Sequence, residues 1–168
     1  MKNIYKFFVL VLVGFSVASC AHKTPEKLTS PDHKINVKVF ITHDHKLAYS
    51  LDYLSQPVIL ESALGLHITE ADFTHNVKIE SVSAITSIVD NYKMRVGKKS
   101  HIQYQANEQL FTVSNNQQQK LNVIFRVSNH GVAFRYLLND STIKTKKFVK
   151  ETTGFTFSKD TRSWLQPM

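Results

Sequence analysis

Residues 120–138 constrain the fold of this chain more than any other stretch. Leu121, Val123, Phe125 and Val127 alternate with Asn122, Arg126 and Ser128, and Val132, Phe134, Tyr136 and Leu138 then alternate with Ala133 and Arg135. Successive side chains of a strand point to opposite faces, so a period of two puts one apolar row on one face. Between the rows lies Ser128-Asn129-His130-Gly131, with Asn and Gly where a positive φ is easiest. The segment reads as a long antiparallel hairpin with one buried face, and Arg126 and Arg135 lie on the opposite one. Cross-strand or surface pairing is the simplest role for those two arginines. The fold class that follows is all-β, an antiparallel β-sandwich.

The same period recurs upstream. Ile35, Val37, Val39 and Ile41 are followed by a turn at His43-Asp44-His45-Lys46 and by Leu47, Tyr49, Leu51 and Tyr53, a second hairpin pattern. A break is expected at Ser55-Gln56-Pro57, before Val58-Ile59-Leu60, and a bulge or tight bend at Gly65. Val77 to Val89 is β-rich, His101–Gln105 and Leu110–Val113 read as two separate strands, and Asn115–Gln119 is a polar turn. Phe155 and Phe157 suggest one more strand. No amphipathic helix of useful length and no repeat of fixed period is present. With 42% hydrophobic and 20% charged residues in 168, the chain has a globular composition and room for about one domain.

The N-terminus has its own character. Lys2 and Lys6 precede an apolar run from Phe7 that ends at Val17-Ala18-Ser19-Cys20. The run is short for a membrane span and has the layout of a secretory signal. An aliphatic residue, two small residues and then Cys resembles the lipobox of bacterial lipoproteins, whose thiol takes the lipid. This reading makes residues 1–19 a lipoprotein signal peptide, Cys20 the lipid-attachment site, and residues 20–31, polar with two prolines, a tether. The expected location is the outer membrane or periplasm, anchored through lipidated Cys20. An ordinary secretory signal with a chance Cys is the alternative. The sole Cys excludes a disulfide scaffold and a Cys-based zinc site.

The formal charge of +8 falls to +6 when residues 1–19 are removed, and part of that excess is Lys144, Lys146, Lys147 and Lys150. Such a run is usually a solvated face, and no nucleic-acid-binding motif accompanies it, so no nucleic-acid partner is expected.

Catalytic patterns are absent. A glycosidase flanks one bond with two carboxyls, but Asp44, Asp52, Glu61, Glu70, Asp72 and Glu80 are scattered with no pairing in their spacing. His43 and His45 would share a face on a strand and hold a metal together, but they fall in a hairpin tip without an identifiable third ligand, so a polar turn is the preferred reading. Gly65 and Gly97 belong to no nucleophile elbow or phosphate loop. The catalytic set is therefore empty, with no metal ligand and no cofactor assigned. Trp164, the only Trp, is a candidate carbohydrate contact because aromatic faces stack on sugar C–H surfaces, with a core or domain-interface plug as the alternative.

Several blocks in fixed order carry a resemblance. Leu28-Thr29-Ser30-Pro31-Asp32, Pro57-Val58-Ile59-Leu60-Glu61 with Ser62-Ala63-Leu64-Gly65-Leu66, the 121–136 hairpin, and Phe155-Thr156-Phe157 running to Trp164-Leu165-Gln166-Pro167 together resemble the N-terminal domain of glycoside hydrolase family 97. One departure is His130, where an Asp is expected in the hairpin turn. The resemblance implies the first part of a β-super-sandwich of the galactose-mutarotase-like kind over residues 32–168, belonging to an exported α-glucosidase or α-galactosidase type of enzyme. It also implies that a (β/α)8 catalytic barrel, absent from this chain, carries the catalytic carboxylates. Calcium is implied as a possible cofactor of the full-length parent. No position here matches those motifs, so none of these roles is assigned to this chain. The implied function is a non-catalytic, carbohydrate-associated support for that barrel, with α-linked oligosaccharides as possible ligands. The alternative is a stand-alone envelope lipoprotein that binds glycans. The hydrophobic ending at Trp164-Leu165-Gln166-Pro167-Met168 reads as a chain cut in mid-domain, which predicts unpartnered strand edges and association of the isolated chain.

Overall fold

A computed structural model describes residues 27–138, 145–162 and 164. These residues form β-strands, turns and irregular segments, with no helix among them. The first sheet holds β1 (Leu28–Thr29), β2 (Ile35–Ile41), β3 (Leu47–Tyr53) and β4 (Gln56–Leu64) in that order. A small sheet combines β5 (Leu66–Ile68) and β6 (Ala71–Asp72) with β12 (Phe148–Glu151), in the order β12-β5-β6. The second large sheet contains β7 (Lys78–Val82), β8 (Thr86–Lys93), β9 (His101–Ser114), β10 (Lys120–Ser128) and β11 (Gly131–Leu138). Its order is β11-β10-β9-β7, with β8 also paired to β9. Every pairing is antiparallel.

The core lies between the two large sheets. Leu28, Val37, Leu47, Tyr49 and Leu64 from one meet Phe111, Val113, Leu121, Val123, Phe125 and Val127 from the other. The ring of Tyr49 sits 5.8 Å from Phe125 and 5.6 Å from Phe134, and Phe111 meets Phe125 edge-on at 6.0 Å, within the range of favourable aromatic pairs. The apolar row of residues 121–127 is thus the centre of the molecule, as its alternation predicts. Polar side chains join this layer too: Gln109, directly across from Phe125, is 2% exposed and donates from Nε2 to the Ser83 carbonyl at 3.0 Å. A buried amide is tolerated when its donor is satisfied. Asn107 stitches the sheets together, donating from Nδ2 to the Thr29 carbonyl at 2.8 Å.

Three local expectations change. The two strands predicted at 101–105 and 110–113 are one, β9, because residues 106–108 between them are paired on both sides, with β8 and with β10, and Gln109 pairs with β10. Backbone pairing there overrides the broken alternation. At the 128–131 hairpin, no residue has a positive φ. Ser128 organises that turn instead: its Oγ accepts the His130 N–H at 3.2 Å and donates to the Gly131 carbonyl at 3.1 Å. His130 in place of an expected Asp is therefore unstrained. Leu54 and Ser55 do adopt left-handed backbone, φ 48° and 65°, and form the turn between β3 and β4, so the expected break at Ser55-Gln56-Pro57 comes earlier and Gln56 and Pro57 already pair within β4.

Residues 152–157, expected as a strand around Phe155 and Phe157, run along β4 without forming a regular ladder. Thr152 N–H donates to Gly65 O, Gly154 N–H to Ala63 O, and Leu60 N–H to Thr156 O, each at 2.9 Å. Gly65 breaks the run between β4 and β5 and permits this approach. A Cβ there would run into Thr152 Oγ1 and stand 3.0 Å from Thr74 Cα. Phe155 joins the aromatic cluster, 6.3 Å from both Tyr49 and Phe134, yet it is half-exposed, as is Phe157. β11 ends its sheet, and its inward row Val132, Phe134, Tyr136 and Leu138 is only partly covered. The seam between β11 and residues 152–157 is bridged by Tyr136, whose hydroxyl shares a hydrogen bond with Thr153 Oγ1 at 2.7 Å, but among the described residues its aromatic cluster is only partly covered.

Candidate functional site

Sequence spacing did not single out a cluster of two histidines around one carboxylate. His67 on β5 is the ladder partner of Asp72 on β6, and the turn after β6 returns His75 to the same carboxylate. Asp72 Oδ2 lies 3.9 Å from His67 Nδ1 and 3.5 Å from His75 Nδ1. Its Oδ1 accepts the Thr74 N–H at 2.8 Å and the Thr74 hydroxyl at 2.7 Å. Partial burial works against ionisation of this carboxyl, but the Thr74 hydrogen bonds and the two histidines outweigh it and leave the pKa below the ordinary value. A carboxylate held ionised in this way is a poor general acid at neutral pH.

The cluster borders a polar cleft of about 350 Å³, which Glu70, Asn115 and Gln117 also line. Asn115 fixes that wall: its Oδ1 accepts the Gln117 and Gln119 N–H groups at 3.0 Å, and its Nδ2 donates to Gln119 Oε1 at 2.8 Å. The cleft offers hydrogen bonds and a negative charge, and it contains no nucleophile paired with a base. Among the described residues, no group of three or more His, Cys, Asp or Glu has the geometry to hold a metal ion.

The acids singled out from the sequence are engaged by neighbours, not by each other. Asp52 pairs with Lys38 at 3.3 Å, and Glu80 accepts from Ser114 Oγ at 2.5 Å and pairs with Lys78 at 2.9 Å. Asp44 sits in an exposed turn beside His43, and Glu61 is an exposed residue of β4. His43 and His45 fall in that turn, and His45 has φ 55°, so they do not share a strand face. Arg126 forms the expected cross-strand pair, with Glu108 of β9: Nε and Nη2 both reach Oε2, at 2.8 and 2.6 Å. Arg135, opposite Ile124 on β11, is exposed. Trp164 is 94% exposed, so it is not a core residue. Lys146, Lys147 and Lys150 lie before and within β12, whereas Cys20, the tether up to residue 26 and Lys144 fall outside the described residues.

The fold and several of its blocks recur in known proteins. The profile of the glycosyl-hydrolase 97 N-terminal domain matches residues 28–168. The crystal structure of a beta-arabinopyranosidase aligns with 80% of this chain at 36% identity and a TM-score of 0.74. A glycoside hydrolase family 97 enzyme from Pseudoalteromonas sp. strain K8, solved in complex with acarbose, aligns over 80% at 25% identity with a TM-score of 0.71. A variant of the K8 enzyme, in complex with panose, gives the same values. The aligned part is 22% of the arabinopyranosidase chain and 20% of the K8 chains, so this chain spans about a fifth of the enzymes it resembles. With an all-β antiparallel sandwich that carries the blocks at 28–32, 57–66, 121–136 and 155–157 in order, the chain belongs to the glycoside hydrolase 97 N-terminal domain family.

Proposed function

We propose that this chain is the non-catalytic N-terminal part of an exported α-glycoside hydrolase, and that it buttresses a (β/α)8 catalytic barrel. The observation that carries the reading is a partly covered apolar seam. An aromatic cluster runs from Tyr49 through Phe134 to half-exposed Phe155, between a sheet edge at β11 and the irregular segment 152–157. A sandwich with an apolar seam of this kind is suited to being covered by further chain. The family match and the coverage of about a fifth of the enzymes agree with a supporting role. The catalytic carboxylates then lie on the barrel, and ligands for any calcium lie beyond the residues of this chain. α-Linked oligosaccharides are the substrates of the whole enzyme. In this reading Cys20 carries the lipid that anchors the protein in the outer membrane or faces it into the periplasm, and residues 21–31 are the tether.

An antibody to residues 28–168, used to blot the source cells, tests this. A band several times heavier than 19.2 kDa is expected. A sole band near that mass, or hydrolysis of an α-glucoside by the purified mature chain alone, overturns the reading.

A further inference from the structure

We infer that the cleft between the β8–β9 ribbon and the β10–β11 turn is a binding site for a neutral carbohydrate. The ribbon extends beyond the sandwich, because residues 101–105 of β9 pair with β8 alone. Two cross-strand pairs, Val89 with Gln105 and Asn91 with Gln103, share one face of it. That face and the turn residues Asn129 and His130 bound a cleft of about 410 Å³. The volume falls in the range of small-molecule sites.

The chemistry of the lining selects the ligand. No Asp, Glu, Lys or Arg lines this cleft, and His130 is its one side chain that can take a positive charge near neutral pH. Its polar groups are mainly carboxamides, each of which offers two donors and an acceptor, the complement of a hydroxyl-bearing ring. The amides of Asn91, Gln103 and Gln105 make no side-chain hydrogen bond with any other described residue. Asn129 is held in place, since its Oδ1 accepts the Asp32 N–H at 3.0 Å. Gln103 and Gln105 stand about 7 Å apart along β9, and Asn91 lies about 5 Å across from Gln103, the span of a sugar ring. Val89, 64% exposed on the same face, supplies an apolar surface for ring C–H groups. A purely apolar ligand would use none of these amide donors and acceptors, whereas a hydroxyl-bearing ring engages both.

Panose, the trisaccharide bound by one of the relatives, is the probe. This choice is the only point that rests on the proposed function, and the blot above tests that reading separately. The purified mature chain, isotopically labelled, is titrated with panose while its side-chain amide NMR signals are followed. Saturable shifts are expected for Asn91, Gln103 and Gln105, with a Kd on the order of 1–10 mM for an open, few-bond site. Gln103→Ala and Gln105→Ala each weaken binding about two- to tenfold. Asn116→Ala, at the cleft beside Asp72, leaves it unchanged. Both glutamines are exposed, so an unaltered backbone spectrum confirms that the variants fold. The assignment is overturned if no signal saturates, if the shifts gather at Asn115–Gln117 instead, or if the Gln103→Ala/Gln105→Ala double variant binds as the parent does.

Discussion

The two halves of β9 have the same kind of ladder and opposite surroundings. Residues 106–114 pair with β10 on one side and with β8 or β7 over most of the other, and they carry Phe111, Val113 and fully covered Ala106. Residues 101–105 pair on one side only, and the partner strand exposes Val89 and Tyr92. Both halves are strand, so backbone pairing alone does not separate them. The difference lies in what covers each face. In the sandwich half, apolar burial contributes most of the stability. In the ribbon half the side chains remain available for recognition. A single strand thus links the packed core to an accessible ribbon.

Three measurements would break or sharpen this contrast. The largest effect belongs to the centre of the core. Phe125→Ala should cost about 3–5 kcal/mol in urea unfolding, whereas Val89→Ala on the ribbon should stay within about 0.5 kcal/mol. Comparable costs at the two sites would mean that the ribbon is packed against something in solution.

A smaller effect is expected where residues 152–157 cross β4. Gly65→Ala forces a Cβ onto Thr152 Oγ1 and close to the backbone of Phe73 and Thr74, at a cost of about 1–3 kcal/mol. Thr152 Oγ1 is buried and has no hydrogen-bond partner among the described residues, so Thr152→Ala gives up little and should recover part of that loss. Strict additivity in this double-mutant cycle would show that the backbone of Phe73 and Thr74 sets the cost, not the side chain of Thr152.

The smallest effect at neutral pH concerns Tyr49, which is 1% exposed and donates to the Gly154 carbonyl at 3.1 Å. Burial, and secondarily the neighbouring Tyr136, pushes its pKa up to about 12 from an ordinary 10.0. The unfolded chain loses that proton near pH 10 and the folded chain keeps it until about 12. The Tyr49 contribution to stability is therefore complete below pH 10 and is lost as the pH rises through about 12. Denaturant unfolding across this window should show the decline, and Tyr49→Phe should flatten it. An unchanged slope in Tyr49→Phe would assign the alkaline loss to other groups.

Much of the sandwich was legible because its signals are local. The 35–53 and 120–138 hairpins carry period-two rows on either side of a short turn, and neighbouring residues alone specify that pattern. β9 was misread as two strands because residues 106–108 owe their strand state to β8 and β10, which alternation within the segment does not report. The 128–131 turn was found but its backbone was not, since a Ser128 side chain replaces the expected positive φ. The His67–Asp72–His75 cluster escaped notice because it depends on one ladder pair and one turn. The amide cleft escaped because it joins residues 89–105 to residues 128–130.

By itself, the sequence determined the all-β class, the two main hairpins and the apolar row that became the core, since alternation sets which face of each strand is buried. It also carried the ordered blocks of the family. Tertiary structure decided which strands became neighbours, which glycine had to be a glycine, and which polar side chains were left free around a cleft. Those outcomes depend on pairings between residues far apart in the chain, and no local pattern encodes them.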